Sequence, residues 1–333
     1  MMREQAIRAL ALLGVLWLVT AVVAPTVGSQ SLSWVDVFTE PSSTAGQIFW
    51  HLRLPRVLLG LLAGGALAIG GAAFQALFRN PLAEPYTLGV ASGAALGAVL
   101  AHQLAPTGLS GTLPVVAIAS FLGAALVSAA IVGLAAGPRG VRSQTLLLAG
   151  IAMSLSCSAL ILFVQYWADF TRTFRMVRWM MGGLSVVGWG EVVWVAVWVT
   201  VGSAVLLGLR WELNQLLAGE ETAASRGVDL AKLRLLVLAA TSGMVAALVA
   251  VTGPIGFIGL VVPHLVRRWS GADHLVLLPA AFLAGGTFLT ICDVVARRVL
   301  APAELPVGVL TALLGGPFFL WLLIRQRSNG DTL

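Results

Sequence analysis

Ten stretches of the chain are almost continuously apolar, and the polar residues collect in the gaps between them. The runs lie at 9–25, 57–78, 86–105, 113–136, 145–166, 189–209, 235–252, 257–266, 275–295 and 306–324. Most approach the roughly 20 residues that a helix needs to cross a bilayer. They are continuous rather than alternating, which disfavours a transmembrane β-barrel. The pattern therefore predicts an all-α polytopic membrane protein with about ten transmembrane helices. The eighth run is short. It reads as half a span preceded by irregular backbone at Gly253-Pro254-Ile255-Gly256, which is tolerated at membrane depth only where protein or a water-filled cavity surrounds it. The first run follows Arg3 and Arg8, the layout of a signal peptide. Its cleavage site would be Val22-Val23-Ala24 before Pro25, and a proline there is unfavourable, so a retained first helix is expected.

Within the runs, small residues recur at helical spacing. Gly89, Gly93 and Gly97 share one face, as do Gly60 and Gly64. Small faces let helix backbones approach closely in lipid, so these positions are read as packing rather than ligand contacts. Gln75 and Asn80 are read as interhelical hydrogen-bond partners rather than substrate contacts.

An even number of spans puts both ends on one side. With the N-terminus inside, the inside loops hold 13 basic residues: Arg3, Arg8, Arg79, Arg139, Arg142, Arg210, Arg226, Lys232, Arg234, Arg267, Arg268, Arg325 and Arg327. The outside holds 7: Arg53, Arg56, Arg172, Arg175, Arg178, Arg297 and Arg298. That asymmetry predicts N-in, C-in by the positive-inside rule. The outside seven form three clusters, more charge than neutral loops need. The longest inside loop, 210–234, carries eight charged residues, and no soluble domain or internal repeat is evident. Residues 1–333 thus read as one transmembrane domain. Near the middle of that loop, Glu220-Glu221-Thr222-Ala223-Ala224 favours a short helix with its acidic start matched to the helix dipole. Gly227 suits a left-handed cap.

Composition agrees and removes rival classes. Only 10% of residues are charged and 59% are hydrophobic, against about 25% charged in a soluble domain. The formal charge of +6, spread over membrane loops, makes no case for nucleic acid. Cys157 and Cys292 lie inside apolar runs and form no disulfide framework. No phosphate-binding GxxxxGK[ST] loop, HExxH or Cys/His metal spacing occurs. The four histidines, His51, His102, His264 and His274, are scattered near helix ends and read as interfacial. Glu84 and Asp293 are the only carboxylates near span ends. An ion-coupled secondary carrier would place costly ionisable groups within the membrane, and a membrane enzyme would need a convergent polar cluster. The pattern favours a conduit whose energy comes from elsewhere, with an ion-coupled carrier as the alternative.

Several segments carry a specific resemblance. They are Arg53-Leu54-Pro55-Arg56 with GGALAIGGAAFQALFRNPLAEPYTLGVASGA (64–94), TLLLAGIAMSLSCSAL (145–160), GPIGFIGLVVPHLVRRWSGADHLVLLPAAFLAGG (253–286) and DVVARRVLAPAELPVGVLTALLGGPFFLWLLI (293–324). Together the chain resembles the FecCD-type permeases of type II ABC importers, which include transporters for ferric siderophores, haem and vitamin B12. The resemblance implies a ten-helix subunit of the inner (cytoplasmic) membrane that pairs with a second copy, lines a path on the shared axis, and imports one of these metal chelates. Ferric siderophore leads on family frequency alone. It further implies two separate ATPase subunits, which hold the ATP and Mg, and a substrate-binding protein on the outer face. This chain would bind no cofactor or metal of its own and would not be an enzyme.

The same resemblance assigns residues. The inside-loop helix becomes the coupling helix, with Glu220, Glu221, Ala223, Ala224, Arg226 and Gly227 at the ATPase; the bland alternative is a solvated loop helix. Arg53 and Arg56, with outward-facing guanidinium groups, and Arg297, also on the outer side, would pair with acidic residues of the binding protein; the alternative is snorkelling at lipid headgroups. Either Arg297 or Arg298 of the doublet could face outward. Arg172, Arg175 and Arg178 are weaker docking candidates, or line a vestibule that attracts an anionic chelate. The turn Arg142-Ser143-Gln144-Thr145 would form a cytoplasmic gate at Ser143 and Gln144, although a plain turn fits as well. Met153, Cys157 and Leu160 would line a mostly apolar, low-affinity translocation path.

Overall fold

The computed structural model describes residues 2–28, 32–86, 89–104, 113–137, 140–141, 143–185, 188–301 and 303–328. In chain order its helices are α1 (Met2–Val23), α2 (Trp34–Thr39), α3 (Thr44–Gln47), α4 (Leu54–Leu77), α5 (Val90–Leu104), α6 (Leu113–Ala135), α7 (Ser143–Trp167), α8 (Phe170–Met180), α9 (Gly190–Gly208), α10 (Arg210–Leu216), α11 (Glu220–Ser225), α12 (Leu230–Thr252), α13 (Ile258–Ser270), α14 (His274–Val299) and α15 (Val307–Ser328). A two-residue ladder, β1 (Ala136–Gly137) with β2 (Gly140–Val141), joins α6 to α7. Each of the ten apolar runs falls on a helix. Seven are long and apolar enough to cross a membrane, and α5 and α15 are shorter apolar helices.

The bundle is organised around α4. The apolar span that ends in it, Thr44–Leu77, is 89% buried over its most apolar window. Its neighbours include α14, α9, α13 and α12. The contact with α14 explains the small residues. A Cβ at Gly64 would overlap Gly285 O, one at Gly285 would overlap Gly64 O, and one at Gly71 would overlap Gly259 O on α13. Without a hydrophobic drive between helices in lipid, such close backbone approach supplies the dispersion energy. The glycines of α5 act alike: Gly93 and Gly97 press on Gly123 and Ala119 of α6. The packing reading of both stripes holds.

Before α4 the chain runs through a wide π turn, Ile48–Arg53. Pro55 is the second residue of α4; it has no N–H and its ring crowds the carbonyl four residues back. The wider turn accommodates it, and the Leu54 N–H donates to Phe49 O, five residues back.

The irregular stretch before α13 is present and enclosed. α12 stops at Gly253, whose φ is +66°, and Phe257 holds a left-handed φ of +70° just ahead of Ile258. Ile255 is fully buried. Its N–H donates to the Tyr86 hydroxyl, and the Gly183 N–H to Thr252 O at 2.7 Å. Protein, not lipid, surrounds this break. Cys157 and Cys292 are free and buried.

α4 and α14 run antiparallel, so the fold has two ends. One carries the start of α4 and the end of α14, with most of the clustered arginines. The other carries the end of α4, the start of α14, and α10 with α11.

Candidate functional site

At the arginine end, Asp293 is nearly fully buried on α14. The Arg56 guanidinium, reaching from the first turn of α4, grips both its oxygens: Nε at 3.0 Å from Oδ2 and Nη2 at 2.9 Å from Oδ1. Arg297, one turn beyond Asp293, places Nε 3.1 Å from Oδ2. Arg56 Nη1 also donates to Glu304 at 2.8 Å. Arg297 Nη1 donates to Val27 O at 3.2 Å, and Arg53 Nη1 to Thr26 O at 3.4 Å. The expected outward orientation of these arginines is therefore corrected. Arg53 and Arg297 are 7% and 6% exposed, drawn in by Asp293 and by the carbonyls that follow α1. Of the doublet, Arg298 is the exposed member. A desolvated carboxylate between two guanidinium groups is stabilised only while both remain. The cluster is a structural lock as well as a charged surface.

The second arginine set sits on α8, an amphipathic helix anchored by fully buried Met176. Asp169 caps it, accepting from the Arg172 N–H at 2.9 Å and pairing with its guanidinium at 3.1 Å. Arg172 also donates to Gln103 O at 2.6 Å, whereas Arg175 and Arg178 are exposed.

At the opposite end, α10 and α11 form a bracket outside the bundle. α11 begins with Glu220 and Glu221 as its composition predicts, and Gly227 closes the turn at φ +86°. Within the bracket, residues divide by exposure. Ala223 is fully buried, while Glu221, Ala224, Ser225, Arg226 and Gly227 are exposed. Glu220 receives a 2.6 Å ion pair from Arg234 on α12, and Arg226 donates to Gln215 on α10 at 2.6 Å. Asn214 of α10 bonds Asp273 and His274 at the start of α14. His274 is fully buried, which corrects its reading as an interfacial residue; Asn214 satisfies its backbone N–H and Nδ1, while Nε2 is buried without a partner among the described residues.

Gln75 is interhelical as expected: its amide donates to Gly259 O and Leu260 O at 3.3 and 3.4 Å, and its carbonyl accepts from Arg267 at 3.1 Å. Asn80 instead acts locally, its side-chain oxygen accepting from the Leu82 N–H at 2.9 Å in an Asx turn.

The residues assigned to a path lie on α7, of whose most apolar window only 17% is buried. Cys157 is buried against the bundle, Met153 is half-buried, and Leu160 is exposed. Leu148, Leu155, Leu162 and Tyr166 extend the open face. Exposed Ser156 and Ser158 bond their own helix carbonyls, so this face offers little unspent polarity. Ser143 and Gln144 open α7, but their side chains and Arg142 lie outside the described residues. Among the described residues no group of three or more His, Cys, Asp or Glu could hold a metal.

Three comparisons bear on these features. The FecCD transport family matches residues 14–325. The vitamin B12 import system permease protein BtuC of Klebsiella pneumoniae is 41% identical over 327 residues, 96% of this chain and 94% of that protein. BtuC of Escherichia coli O9:H4 is 40% identical over 334 residues, 98% and 97% of the two chains. A solved structure assigned to the metal-chelate type of ABC transporter, in an inward-facing conformation, is 34% identical, with a TM-score of 0.86 and 96% and 99% of the two chains covered.

Proposed function

The chain is a member of the FecCD transport family, and from that premise we propose that it is the permease subunit of an ATP-driven importer of a metal chelate, working in the cytoplasmic membrane as a pair of copies. The bracket of α10 and α11 carries this reading. It presents Glu221, Ala224 and Arg226 outward while Ala223 seats it on the bundle and Glu220 ties it to α12. A short helix held from behind and open in front suits the cleft of a partner. The chain has no phosphate-binding loop of its own, so ATP and Mg belong on two separate ATPase subunits. The 210–234 loop then lies in the cytoplasm and the arginine end faces out, the orientation with the larger basic count inside.

The two open sides of the bundle take the remaining roles. The apolar face of α7, around Met153, Cys157 and Leu160, meets its counterpart across a two-fold axis and lines the path, with Ser143 and Gln144 closing it at the cytoplasmic end. An apolar wall lets a bulky chelate slide without tight capture, unlike a site with a few placed polar groups. At the outer end a substrate-binding protein docks. Arg298 and the outer edges of Arg53 and Arg56 meet its carboxylates, with Arg297 holding Asp293 behind them. The relatives named for vitamin B12 import favour a corrinoid over the ferric siderophore that leads on family frequency.

Reconstitution with the neighbouring ATPase and binding protein tests the reading. Uptake of cobalamin, haem and a ferric siderophore is measured side by side, with and without ATP. ATP-dependent uptake of one chelate, highest for cobalamin, is expected. Uphill uptake by the chain alone, driven by a proton or sodium gradient, would make it a secondary carrier instead.

A further inference from the structure

We propose that Asn214 is a positioning residue that ties the cytoplasmic bracket to α14, so that movement of α10 and α11 is delivered to the outer arginine cluster through the α4–α14 pair. The inference deepens the importer reading and rests on it.

The argument starts from one amide that makes three bonds. Asn214 Oδ1 accepts from the His274 N–H and from His274 Nδ1, both at 2.8 Å. Its Nδ2 donates to Asp273 Oδ1 at 2.7 Å. Asp273 is the N-cap of α14 and also accepts from the Leu275 N–H at 2.9 Å. Asn214 therefore grips both the cap residue and the first residue of a long helix. His274 is fully buried, and Nδ1 carries the proton that Asn214 accepts. A bond made partly away from water, to a ring that has little freedom, holds its geometry better than an exposed pair.

α14 carries the connection across the protein. Its 26 residues extend about 39 Å at 1.5 Å per residue. Along the way its backbone is pressed on α4 at Gly285 and Gly64, and at Gly286 and Leu61. Packing that close leaves no side-chain slack for one helix to move without the other. At the far end Asp293 holds Arg56 of α4 and Arg297. Polar bonds thus tie the near end of α14 to α10 and its far end to α4, with backbone contact on α4 between them. At the near end Gln75 and Arg267 extend the junction to α13.

The other bracket contacts differ. Glu220–Arg234 reaches α12, and Arg226–Gln215 stays within the bracket. Of the polar bracket contacts named here, those of Asn214 reach α14, the helix that carries Asp293. Loss of its side chain should leave assembly intact and break the transmission.

The test uses the whole complex in proteoliposomes, with ATP hydrolysed and chelate imported measured on the same preparation. Asn214→Ala is expected to bind the ATPase normally and to raise the ATP consumed per chelate imported about tenfold, the scale of a typical coupling energy between sites. Asn214→Asp sets a carboxylate against Asp273 and should behave alike. Asn214→Asp with Asp273→Asn exchanges donor and acceptor across the 2.7 Å contact and should restore the ratio. A purely structural role would alter complex yield without moving the ratio or giving rescue. An unchanged ratio in assembled Asn214→Ala overturns the proposal. If that variant fails to assemble, equal ratios in Asn214→Asp and the exchanged pair overturn it. A wild-type chain that recruits no ATPase in a pull-down would overturn the importer reading itself, a separate readout.

Discussion

α4 and α7 look alike by hydropathy and are used in opposite ways. Their most apolar windows average 2.1 and 2.3, yet 89% of one and 17% of the other is buried. The difference lies in side-chain size. α4 carries glycine and alanine on the faces that meet α14 and α13, and α7 carries Leu, Phe, Tyr and Trp outward. In lipid, apolarity only states that a helix belongs in the bilayer; smallness states that another helix lies against it.

The comparison can be broken at its strongest point first. Asp293→Ala removes the anion that pins α4 to α14 and leaves Arg56 and Arg297 facing each other at its site. A loss of about 3–5 kcal/mol, the scale of breaking a buried pair, is expected in thermal unfolding of the detergent-solubilised protein, and Asp293→Asn should fall between. Gly64→Leu, which drives a side chain into Gly285, should cost about 3 kcal/mol by overpacking and appear as poor yield of folded protein. Gln75→Leu removes the acceptor of Arg267 and the donor to the Gly259 carbonyl, which Pro263 cannot serve from within α13, and should cost about 1–3 kcal/mol in the same assay. The mirror experiment on α7 should do almost nothing. Ala152 is exposed, so Ala152→Leu should change stability by less than about 0.5 kcal/mol. A larger effect in the isolated chain would mean that α7 packs internally after all. Leu155→Cys sharpens the contrast further: under mild oxidation it should link two copies through α7, whereas Ala63→Cys on buried α4 should not.

Much of this was legible along the chain because it depends on local rules. Each apolar run falls on a helix, and Gly253-Pro254 marks the break before α13. Glu220-Glu221 and Gly227 bound α11, and the glycine stripes announce close packing. The misread features depend on what lies across the fold. Nothing in the neighbourhood of Arg53 discloses that the Thr26 carbonyl waits nearby, or that Arg56 will find Asp293, 237 positions away. One signal was available: Asp293 and Arg297 stand at i and i+4 on a single helix, a spacing that favours an ion pair. Asn80 followed by Pro81 and Leu82 likewise carried a turn signal. The polarity of the His274 pocket had no local mark, since Asn214 arrives from another helix.

The arginine end has a consequence beyond contact. Arg53, Arg56, Arg297 and Arg298 stand against Asp293 and Glu304, a surplus of two positive charges that a second copy would double. Such a field reaches about 8 Å into physiological electrolyte before counterions damp it. An acidic partner would then be drawn in before touching, and its rate of arrival should fall steeply as sodium chloride is raised while its departure changes little.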